Sequence, residues 1–407
     1  MEKNRLNSGN SATPIRHVCV VSETYLPEVN GVTLTLGHLI KGMLARGRDV
    51  SVVRPRRDQP DRDPYVAEVP GLPLPGYKGL QFGLPAGGIL YQSWSRKRPD
   101  AVYVATEGPL GWSAVSIALR LTIPVFSGFH TNFHSYSCHY GIGFLRSVVL
   151  RYLRRFHNRT SGTFVPSPDL RDRLLQLGFN NVGCVGRGVD SQLFDPKKCS
   201  AALRGQWGAS KQDLVALYVG RVASEKNLGL AIAAYRAIKQ TVHSARFLVV
   251  GDGPLRQSLE AEHRDIAFTG MQTGEQLAAH YASGDLFLFP SETETFGNVV
   301  LEAMASGLGV VAYDYAAARS HIVDGATGIL VPFGDSKAFV ASALGIARQP
   351  AQVARIGRQA REYSASLDWS RVVDKFESLL SGNSENAQGS IGSMIGQGNL
   401  AIAARRT

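Results

Sequence analysis

The sequence predicts an α/β protein in which two doubly wound parallel sheets, each covered by helices, face a central cleft. The chain has 407 residues, which at about 100–200 residues per domain indicates two domains. Short apolar runs alternate with loops and with stretches of helical periodicity, and this alternation starts again in the second half. Apolar residues make up 44% of the chain and charged residues only 19%, so a wholly disordered protein is excluded.

In the first half, the apolar run His17–Ser22 predicts a strand that leads into a loop over residues 23–32. Apolar side chains then recur at helical spacing from Leu34 to Leu44, and Gly47 ends this predicted helix. Three further strands are predicted at Val50–Val53, Ala101–Ala105 and Pro124–Ser127. Strands that alternate with helices in this way form parallel sheets.

The second half repeats the pattern, with a predicted helix from about Leu228. Its strands are predicted at Leu214–Val219, Arg246–Val250, Leu286–Phe289 and Gly309–Ala312. We therefore assign a first domain to residues 15–190, a second domain to 191–366 and a final helix to 367–381. Residues 1–14 are predicted to be a flexible start, and residues 382–407, rich in Gly, Ser, Asn and Gln, a flexible tail.

Nearly all of the net charge of +11 lies in the first half. Residues 1–190 hold 23 basic and 13 acidic side chains, whereas residues 191–407 hold 21 and 20. A basic domain beside a neutral one indicates an anionic partner, such as phosphate groups, nucleic acid or an acidic membrane. No zinc-finger, RNP-like or basic-zipper motif is present, so we expect no nucleic acid partner.

The expected compartment is the cytoplasm, with the protein peripheral on the inner face of the plasma membrane. Cys19, Cys138, Cys184 and Cys199 are scattered and form no Cys-x-x-Cys pair, which fits a reducing compartment. No secretory signal is visible, and no apolar run approaches the roughly 18 residues of a membrane-spanning helix.

A cationic turn follows the first strand of the second half. Gly220 and Arg221 come directly after the strand, and Lys226 lies five residues further on. Backbone N–H groups, a helix dipole and two cations together make an anion site, with the arginine offering a planar fork for phosphate. A charged, solvated turn is the alternative.

Two carboxylates eight residues apart flank a predicted helix start near Gly297. Glu294 would precede the helix, whereas Glu302 would lie just over one turn inside it on an otherwise apolar stretch. A carboxylate at the second position needs a partner such as paired hydroxyl groups. The alternative, an acidic first turn that complements the helix dipole, explains Glu294 well and Glu302 poorly.

These motifs resemble the donor site of the GT4 family, which are retaining glycosyltransferases of the GT-B fold. The resemblance as a whole extends over about residues 16–380. The motifs are Gly220-Arg221 with Lys226, Gly251-Asp252-Gly253-Pro254, and the segment from Pro290 through Glu294 to Glu302 and Ala305. The subgroup they resemble contains the bacterial lipid mannosyltransferases and the sulfoquinovosyl-diacylglycerol synthases. The fold this implies is two Rossmann-like domains, with the last helix crossing back onto the first.

The resemblance implies a role for each donor-site residue. Arg221 and Lys226 would grip the donor diphosphate, Glu294 would lie at the donor sugar and Glu302 would bind the ribose. The remaining donor-binding positions are glycines and backbone N–H groups, namely Gly31, Gly251, Phe296, Gly297 and Asn298.

His130, at the end of the strand Pro124–Ser127, matches the family's active-site histidine, and with Glu294 it forms the implied catalytic pair. Many relatives have Asn at the domain junction where this chain has Arg187, which we expect to add a cation facing the donor or acceptor. No metal and no other cofactor is implied. A zinc site of His130, His134, Cys138 and His139 fits no common ligand spacing.

The segment Phe144–Arg159 holds five arginines and no acid. One predicted helical stripe contains Leu145, Val148, Val149, Tyr152 and Phe156, whereas Arg151, Arg154 and Arg155 lie off it. A basic amphipathic helix can rest on anionic lipid headgroups. The alternative is a core-packed helix with its arginines in water.

The predicted activity is that of a retaining hexosyltransferase acting on a nucleotide-sugar donor and a lipid or glycolipid acceptor. The subgroup favours mannose from GDP-mannose. The alternatives are a UDP-sugar-dependent transferase acting on diacylglycerol or a polysaccharide precursor, and a sugar-nucleotide epimerase or hydrolase of the same fold. A nicotinamide-dependent oxidoreductase is not favoured, because neither half has a Gly-x-Gly-x-x-Gly turn after its first strand.

Overall fold

A computed structural model describes residues 15–26, 28, 30–57, 63–73, 81–130 and 143–382 of the chain. The predicted flexible start and nearly all of the predicted tail lie outside these residues. So do His134, Cys138 and His139 of the discounted zinc site.

The first domain contains a seven-stranded parallel sheet with the order β3-β2-β1-β6-β7-β8-β9. Its strands, together with the antiparallel pair β4–β5, are β1 (His17–Val21), β2 (Asp49–Pro55), β3 (Val66–Val69), β4 (Gly71–Pro73), β5 (Gln81–Gly83), β6 (Ala101–Val104), β7 (Val125–Gly128), β8 (Gly162–Val165) and β9 (Val182–Cys184). Its helices are α1 (Gly31–Ala45), α2 (Gly87–Arg96), α3 (Pro109–Arg120), α4 (Gly143–His157) and α5 (Pro168–Gln176).

The alternation of side chains along β1 explains why helices cover both faces of this sheet. Val18 and Val20 pack in one core with α1, whereas Cys19 and Val21 pack in another with α2 and α3. A strand buried on both faces reads as a continuous apolar run, which is how β1 reads in the sequence.

The second domain contains a six-stranded parallel sheet with the order β12-β11-β10-β13-β14-β15. Its strands are β10 (Val215–Val219), β11 (Arg246–Val250), β12 (Ala267–Gly270), β13 (Leu286–Phe289), β14 (Gly309–Tyr313) and β15 (Ile329–Val331). Its helices are α6 (Ala201–Gln206), α7 (Leu228–Lys239), α8 (Arg256–Glu262), α9 (Gly274–Ala282), α10 (Asn298–Ala305), α11 (Ala316–His321), α12 (Ser336–Ala347) and α13 (Pro350–Ser364).

The strand order reverses once in each sheet, between β1 and β6 and between β10 and β13. Ligands of doubly wound sheets bind beyond the carboxyl ends of the strands at such switch points. The loops after β1, β7, β10 and β13 therefore mark where a ligand site is expected. They carry Gly31, His130, Lys226 and Glu294.

The last helix, α14 (Trp369–Leu380), returns to the first domain and packs beside α1. Phe376 is 1% exposed, and its ring lies edge-on to the rings of Tyr103 and Phe164 at centroid distances of 5.0 and 5.7 Å. Arg48 on the first domain pairs with Glu377 at 2.9 Å. The chain thus crosses between the domains twice.

Truncation of Phe376 tests how strongly this returning helix is held. We expect Phe376→Ala to lower the free energy of unfolding of the first domain by about 3–5 kcal/mol, because it leaves a cavity among aromatic rings. Arg371→Ala, an exposed position on the same helix, is the matched control and should stay within about 0.5 kcal/mol of wild type. Urea unfolding measures both, and equal stabilities would contradict this packing.

Candidate active site

The centre of the candidate site is a contact between Lys226 and Glu294. The lysine ends a short 3₁₀ turn after β10, and the glutamate lies between β13 and α10. Lys226 Nζ lies 2.6 Å from Glu294 Oε1, which also accepts a hydrogen bond from Ser291 Oγ at 2.8 Å. Both charged side chains are less than one-fifth exposed, so their attraction is only weakly screened.

The loop around Glu294 is fixed on several sides. Lys226 Nζ donates a second hydrogen bond to the carbonyl of Thr293 at 3.0 Å, and the Tyr315 hydroxyl donates to the carbonyl of Glu294 at 2.7 Å. The Thr293 hydroxyl donates to the carbonyl of Glu225 at 2.8 Å. The backbone of this loop is therefore fixed before any ligand binds, as a preorganised site requires.

Arg221 differs from Lys226 in being half exposed. Its side chain is 51% exposed, and its guanidinium lies 3.4 Å from Glu225, four residues further along the chain. The sequence places both cations on the same loop after β10, and the structure keeps only the lysine in the Glu294 cluster. Arg221 therefore has the freedom to turn towards an anion at low cost.

Gly251 is required by the close approach of two loops. Its φ is +138°, and a Cβ at this position would lie 1.9 Å from the carbonyl oxygen of Gly220. Its own N–H donates to the carbonyl of Gly270 at 2.8 Å. Gly31, by contrast, begins α1 with nothing within 4 Å of a built Cβ, so the space beside it is open.

Helix α10 begins beside the Glu294 loop. Gly297 has φ +93°, a conformation that favours glycine, and Asn298 is the first helical residue. The Phe296 side chain is 5% exposed and lies edge-on to His321, so it belongs to the core. Only the backbone of Phe296 is available to a ligand.

Glu302 is the fifth residue of α10, and it has a hydroxyl partner of the kind predicted from the sequence. Tyr281 donates a hydrogen bond to Glu302 Oε2 at 2.9 Å. Burial of the carboxyl raises its pKa to about 7, an effect that this hydrogen bond partly offsets. The residue as a whole is only partly buried.

His130 follows β7 and is held from both sides of its ring. Nε2 lies 3.3 Å from the Tyr103 hydroxyl, and Nδ1 lies 3.4 Å from Nη2 of Arg187. Burial, the charge of Arg187 and the nearby His157 together lower the pKa of His130 to about 3. The imidazole is therefore neutral at physiological pH.

Arg187 lies buried at the domain junction, next to His130. Its side chain is only 8% exposed, and it donates to the carbonyls of Val185 and Gly186, each at 3.1 Å. Burial in turn lowers the pKa of the guanidinium. The cation at the domain junction faces His130.

The two domains meet across the cleft at the same place. The Thr295 hydroxyl, next to Glu294, donates to the backbone carbonyl of His130 at 3.1 Å. A second contact joins Arg319 of the second domain to Asp169 of the first at 3.3 Å. The main chain of His130 thus lies close to the loop of Glu294, its predicted catalytic partner, through the neighbouring residue Thr295.

The arginine-rich helix α4 presents its charges to solvent, and the predicted apolar stripe is confirmed in part, because Phe156 is fully buried and Val149 packs against a buried cluster. Arg151, Arg154 and Arg155 are exposed. Tyr152, predicted on the apolar stripe, is 43% exposed, whereas Leu153 is 4% exposed. His157, next to Phe156, is buried as well, and its Nδ1 lies 2.8 Å from Ser127 Oγ.

Three tyrosines that the sequence analysis did not single out support the site. They are Tyr103, Tyr281 and Tyr315, which hold His130, Glu302 and Glu294 respectively. Each lies in or next to a buried element, where a tyrosine is usually read as a core aromatic. No local signal distinguished them. Within the described part of the chain, no cluster of three His, Cys, Asp or Glu side chains could hold a metal ion.

Two protein-family models match the chain, one in each domain. Residues 29–193 match the model of Glycosyltransferase Family 4, and residues 213–349 match the model of glycosyl transferases group 1. A GDP-mannose-dependent alpha-mannosyltransferase of Corynebacterium glutamicum is 33% identical over 331 residues, which cover 80% of this chain and 78% of that protein. An alpha-monoglucosyldiacylglycerol synthase of Acholeplasma laidlawii is 25% identical over 363 residues, or 84% of this chain and 90% of that protein.

The fold has solved counterparts. A sucrose-phosphate synthase from Thermosynechococcus elongatus superposes with a TM-score of 0.72 at 19% identity, over 89% of this chain and 98% of that one. At this identity the likeness concerns the fold. It covers both sheets, and therefore the cleft between them.

The raised pKa of Glu302 makes stability depend on pH. Between about pH 4.5 and 7 the native carboxyl keeps a proton that the unfolded chain has released, so its contribution to stability falls as pH rises. We expect Glu302→Gln, which stays neutral, to gain stability relative to wild type as pH rises from about 5 to about 8. Thermal unfolding across this range measures the difference. Glu260→Gln, exposed on α8, is the control, and a Glu302→Gln difference that is constant with pH would contradict the assignment.

Proposed function

The chain belongs to glycosyltransferase family 4, and from that premise we propose that it moves a hexose from a nucleoside-diphosphate sugar to a lipid or glycolipid acceptor, with retention of configuration. The observation that carries the proposal is the Lys226–Glu294 contact beside the carbonyl of His130. The contact pairs a cation with a carboxylate, and the residue after the carboxylate, Thr295, donates to the main-chain carbonyl of His130. A reacting sugar diphosphate needs each of these groups.

The proposed roles follow from the charge that develops in the reaction. As the glycosidic bond breaks, negative charge grows on the departing diphosphate and positive charge on the sugar ring. Lys226 and Arg221 would stabilise the negative charge on the diphosphate. Fixed cations in a water-poor cleft do this most effectively in the transition state. The His130 carbonyl and Glu294 would lie beside the sugar.

The remaining donor contacts would hold the nucleotide. Glu302 would accept hydrogen bonds from the ribose hydroxyls, and the open space beside Gly31 would admit a diphosphate oxygen. Attack from the front face lets the departing phosphate take the acceptor proton, so no separate base is needed. Because the two cations can neutralise the leaving group, we propose that the reaction needs no divalent metal.

The proposed donor is GDP-mannose. This choice is supported by the 33% identity to the GDP-mannose-dependent alpha-mannosyltransferase of Corynebacterium glutamicum. A thermal-shift panel of GDP, UDP and their sugars tests it, followed by transfer to diacylglycerol and glycolipid acceptors. The expected result is a larger shift with GDP and mannose transfer only when acceptor is present. A larger shift with UDP would favour the UDP-sugar alternative, and full-rate donor hydrolysis without acceptor would favour an epimerase or hydrolase.

Substitution of either partner in the central contact should stop transfer. We expect Lys226→Ala and Glu294→Ala each to lower kcat by roughly 100-fold or more, the usual effect of deleting one electrostatic group at a transition state. Circular dichroism should still report a folded chain. Lys211→Ala, an exposed lysine in the same domain, is the matched control, and wild-type turnover in either site variant would refute the site assignment.

We also propose that the first domain docks on the anionic inner face of the plasma membrane through α4. The support is the net charge of +10 on residues 1–190 and the exposure of Arg151, Arg154 and Arg155. No helix within the described ranges has both the length and the apolar character needed to span a bilayer. The acceptor lipid would then reach the cleft from the first domain's side.

Vesicle sedimentation tests this docking. Replacing the three arginines by Gln should weaken binding to anionic vesicles by roughly 100-fold, at about 1 kcal/mol per cation near the surface. A triple Gln variant at Arg264, Arg348 and Arg358, exposed arginines of the second domain, removes the same charge and should bind nearly as wild type does. Equal losses in the two variants, or equal binding to neutral vesicles, would contradict docking through α4.

A further inference from the structure

The first domain carries an exposed apolar face where a polar one is expected. Strands β4 and β5 form a two-stranded ribbon that is separate from the seven-stranded sheet. Leu72 and Phe82 lie directly opposite each other in this ribbon, so their side chains project from the same face. They are 55% and 39% exposed, whereas the outward face of an antiparallel pair is usually polar. We call this pair the ribbon face.

The opposite side of the ribbon lies close against the domain because it carries glycines. Gly71 and Gly83 are also paired across the ribbon. A Cβ at Gly71 would lie 2.7 Å from the Cβ of Pro55, and one at Gly83 would lie 2.7 Å from the Cβ of Leu110. Neither glycine has a positive φ, so close approach rather than conformational freedom explains them. The ribbon therefore packs on the end of β2 and the start of α3 with its apolar side outward.

The ribbon lies near helix α4, for which membrane docking is proposed. The start of α3 lies between the two, since Leu110 contacts the ribbon and the ring of Trp112 lies 5.9 Å from that of Tyr152 on α4. The Tyr152 hydroxyl also donates to the carbonyl of Glu107, just before α3. The ribbon face and the exposed arginines of α4 thus belong to neighbouring parts of the first domain.

The ribbon also borders the cleft. The side chain of Glu23, in the loop after β1, lies 3.4 Å from a Cβ built at Gly83. This loop leaves the carboxyl edge of the first sheet, where ligands of doubly wound sheets bind. Arg56, at the root of the ribbon, is exposed, and its N–H donates to the carbonyl of Val69 at 2.7 Å. The apolar face therefore has the cleft on one side and cations nearby.

The size and surroundings of the ribbon face favour a lipid partner. Two side chains cannot supply the roughly 800 Å² per partner that a stable protein interface buries. In a bilayer, single side chains gain free energy by entering the boundary between headgroups and acyl chains. We propose that the ribbon face inserts among the acyl chains of an anionic bilayer while α4 contacts the headgroups. This inference rests on the proposed docking of the first domain and adds an apolar contact to it.

Fluorescence quenching tests the insertion directly. Phe82→Trp is mixed with phosphatidylglycerol vesicles whose acyl chains carry bromine, and the signal of the four native tryptophans is corrected for with wild-type protein. We expect a blue-shifted emission that bromine quenches, because the side chain enters the region of the acyl chains. Phe333→Trp, at a position 44% exposed in the second domain, is the matched control and should show neither change.

A polar ribbon face should weaken vesicle binding without unfolding the domain. Leu72→Thr combined with Phe82→Thr keeps residues that favour strands, so the urea midpoint should match that of wild type. We expect about tenfold weaker binding to anionic vesicles, by a factor that persists at raised salt because apolar burial is not screened. The loss in the α4 glutamine variant should instead shrink as salt rises. Leu175→Thr with Phe333→Thr, at positions 46% and 44% exposed, removes the same groups elsewhere and should bind as wild type does.

The outcomes separate insertion from the proposals it rests on. Wild-type binding by the ribbon variant, or an unquenched tryptophan at position 82 in vesicle-bound protein, would overturn insertion and leave docking through α4 standing. A wild-type dimer in gel filtration that the ribbon variant dissociates would also overturn it, because a second copy would then cover the face. Quenched, vesicle-bound protein without transferase activity would refute the proposed reaction and support the insertion.

Discussion

The whole arrangement depends on one constraint, that parallel strands can be joined only by crossovers which return the chain to the same edge of the sheet. Each strand therefore releases its following loop at the carboxyl edge. In two sheets this places Gly31 and His130 on one side of a cleft and Lys226 and Glu294 on the other. The returning helix Trp369–Leu380 joins the two halves a second time, and the Thr295–His130 hydrogen bond closes them at the site.

The distribution of charge differs between the two domains and matches the partner proposed for each. The second domain is nearly neutral and aims a few cations at one point, with Lys226 held by Glu294 until a ligand competes for it. The first domain presents many of its arginines to solvent, and it buries Arg54 beside Glu68 and Arg187 beside a neutral histidine. The same residue type thus serves two purposes, and only burial distinguishes them.

The fold class and the resemblance to the GT4 family were predictable and are confirmed, because apolar periodicity and the Glu294–Glu302 motif are local signals. On α4 the prediction of the buried stripe was right for Phe156 and wrong for Tyr152, because Leu153 is the residue that packs into a cluster with Phe129 and Phe179 from other elements. The roles of Tyr103, Tyr281 and Tyr315 were not predictable for the same reason. Their hydrogen-bond partners lie on other strands and helices, and sequence spacing does not report such contacts.

The central claim is that a diphosphate binds between Lys226 and Arg221 with its nucleoside over Glu302. A crystal structure with bound GDP, or UDP if that is the tighter ligand, tests it most directly. We expect diphosphate oxygens within hydrogen-bond distance of Lys226 Nζ and ribose hydroxyls at the Glu302 carboxylate, with the Glu294 side chain released from the lysine towards the sugar site. A nucleotide bound elsewhere, with the Lys226–Glu294 contact unchanged, would contradict it.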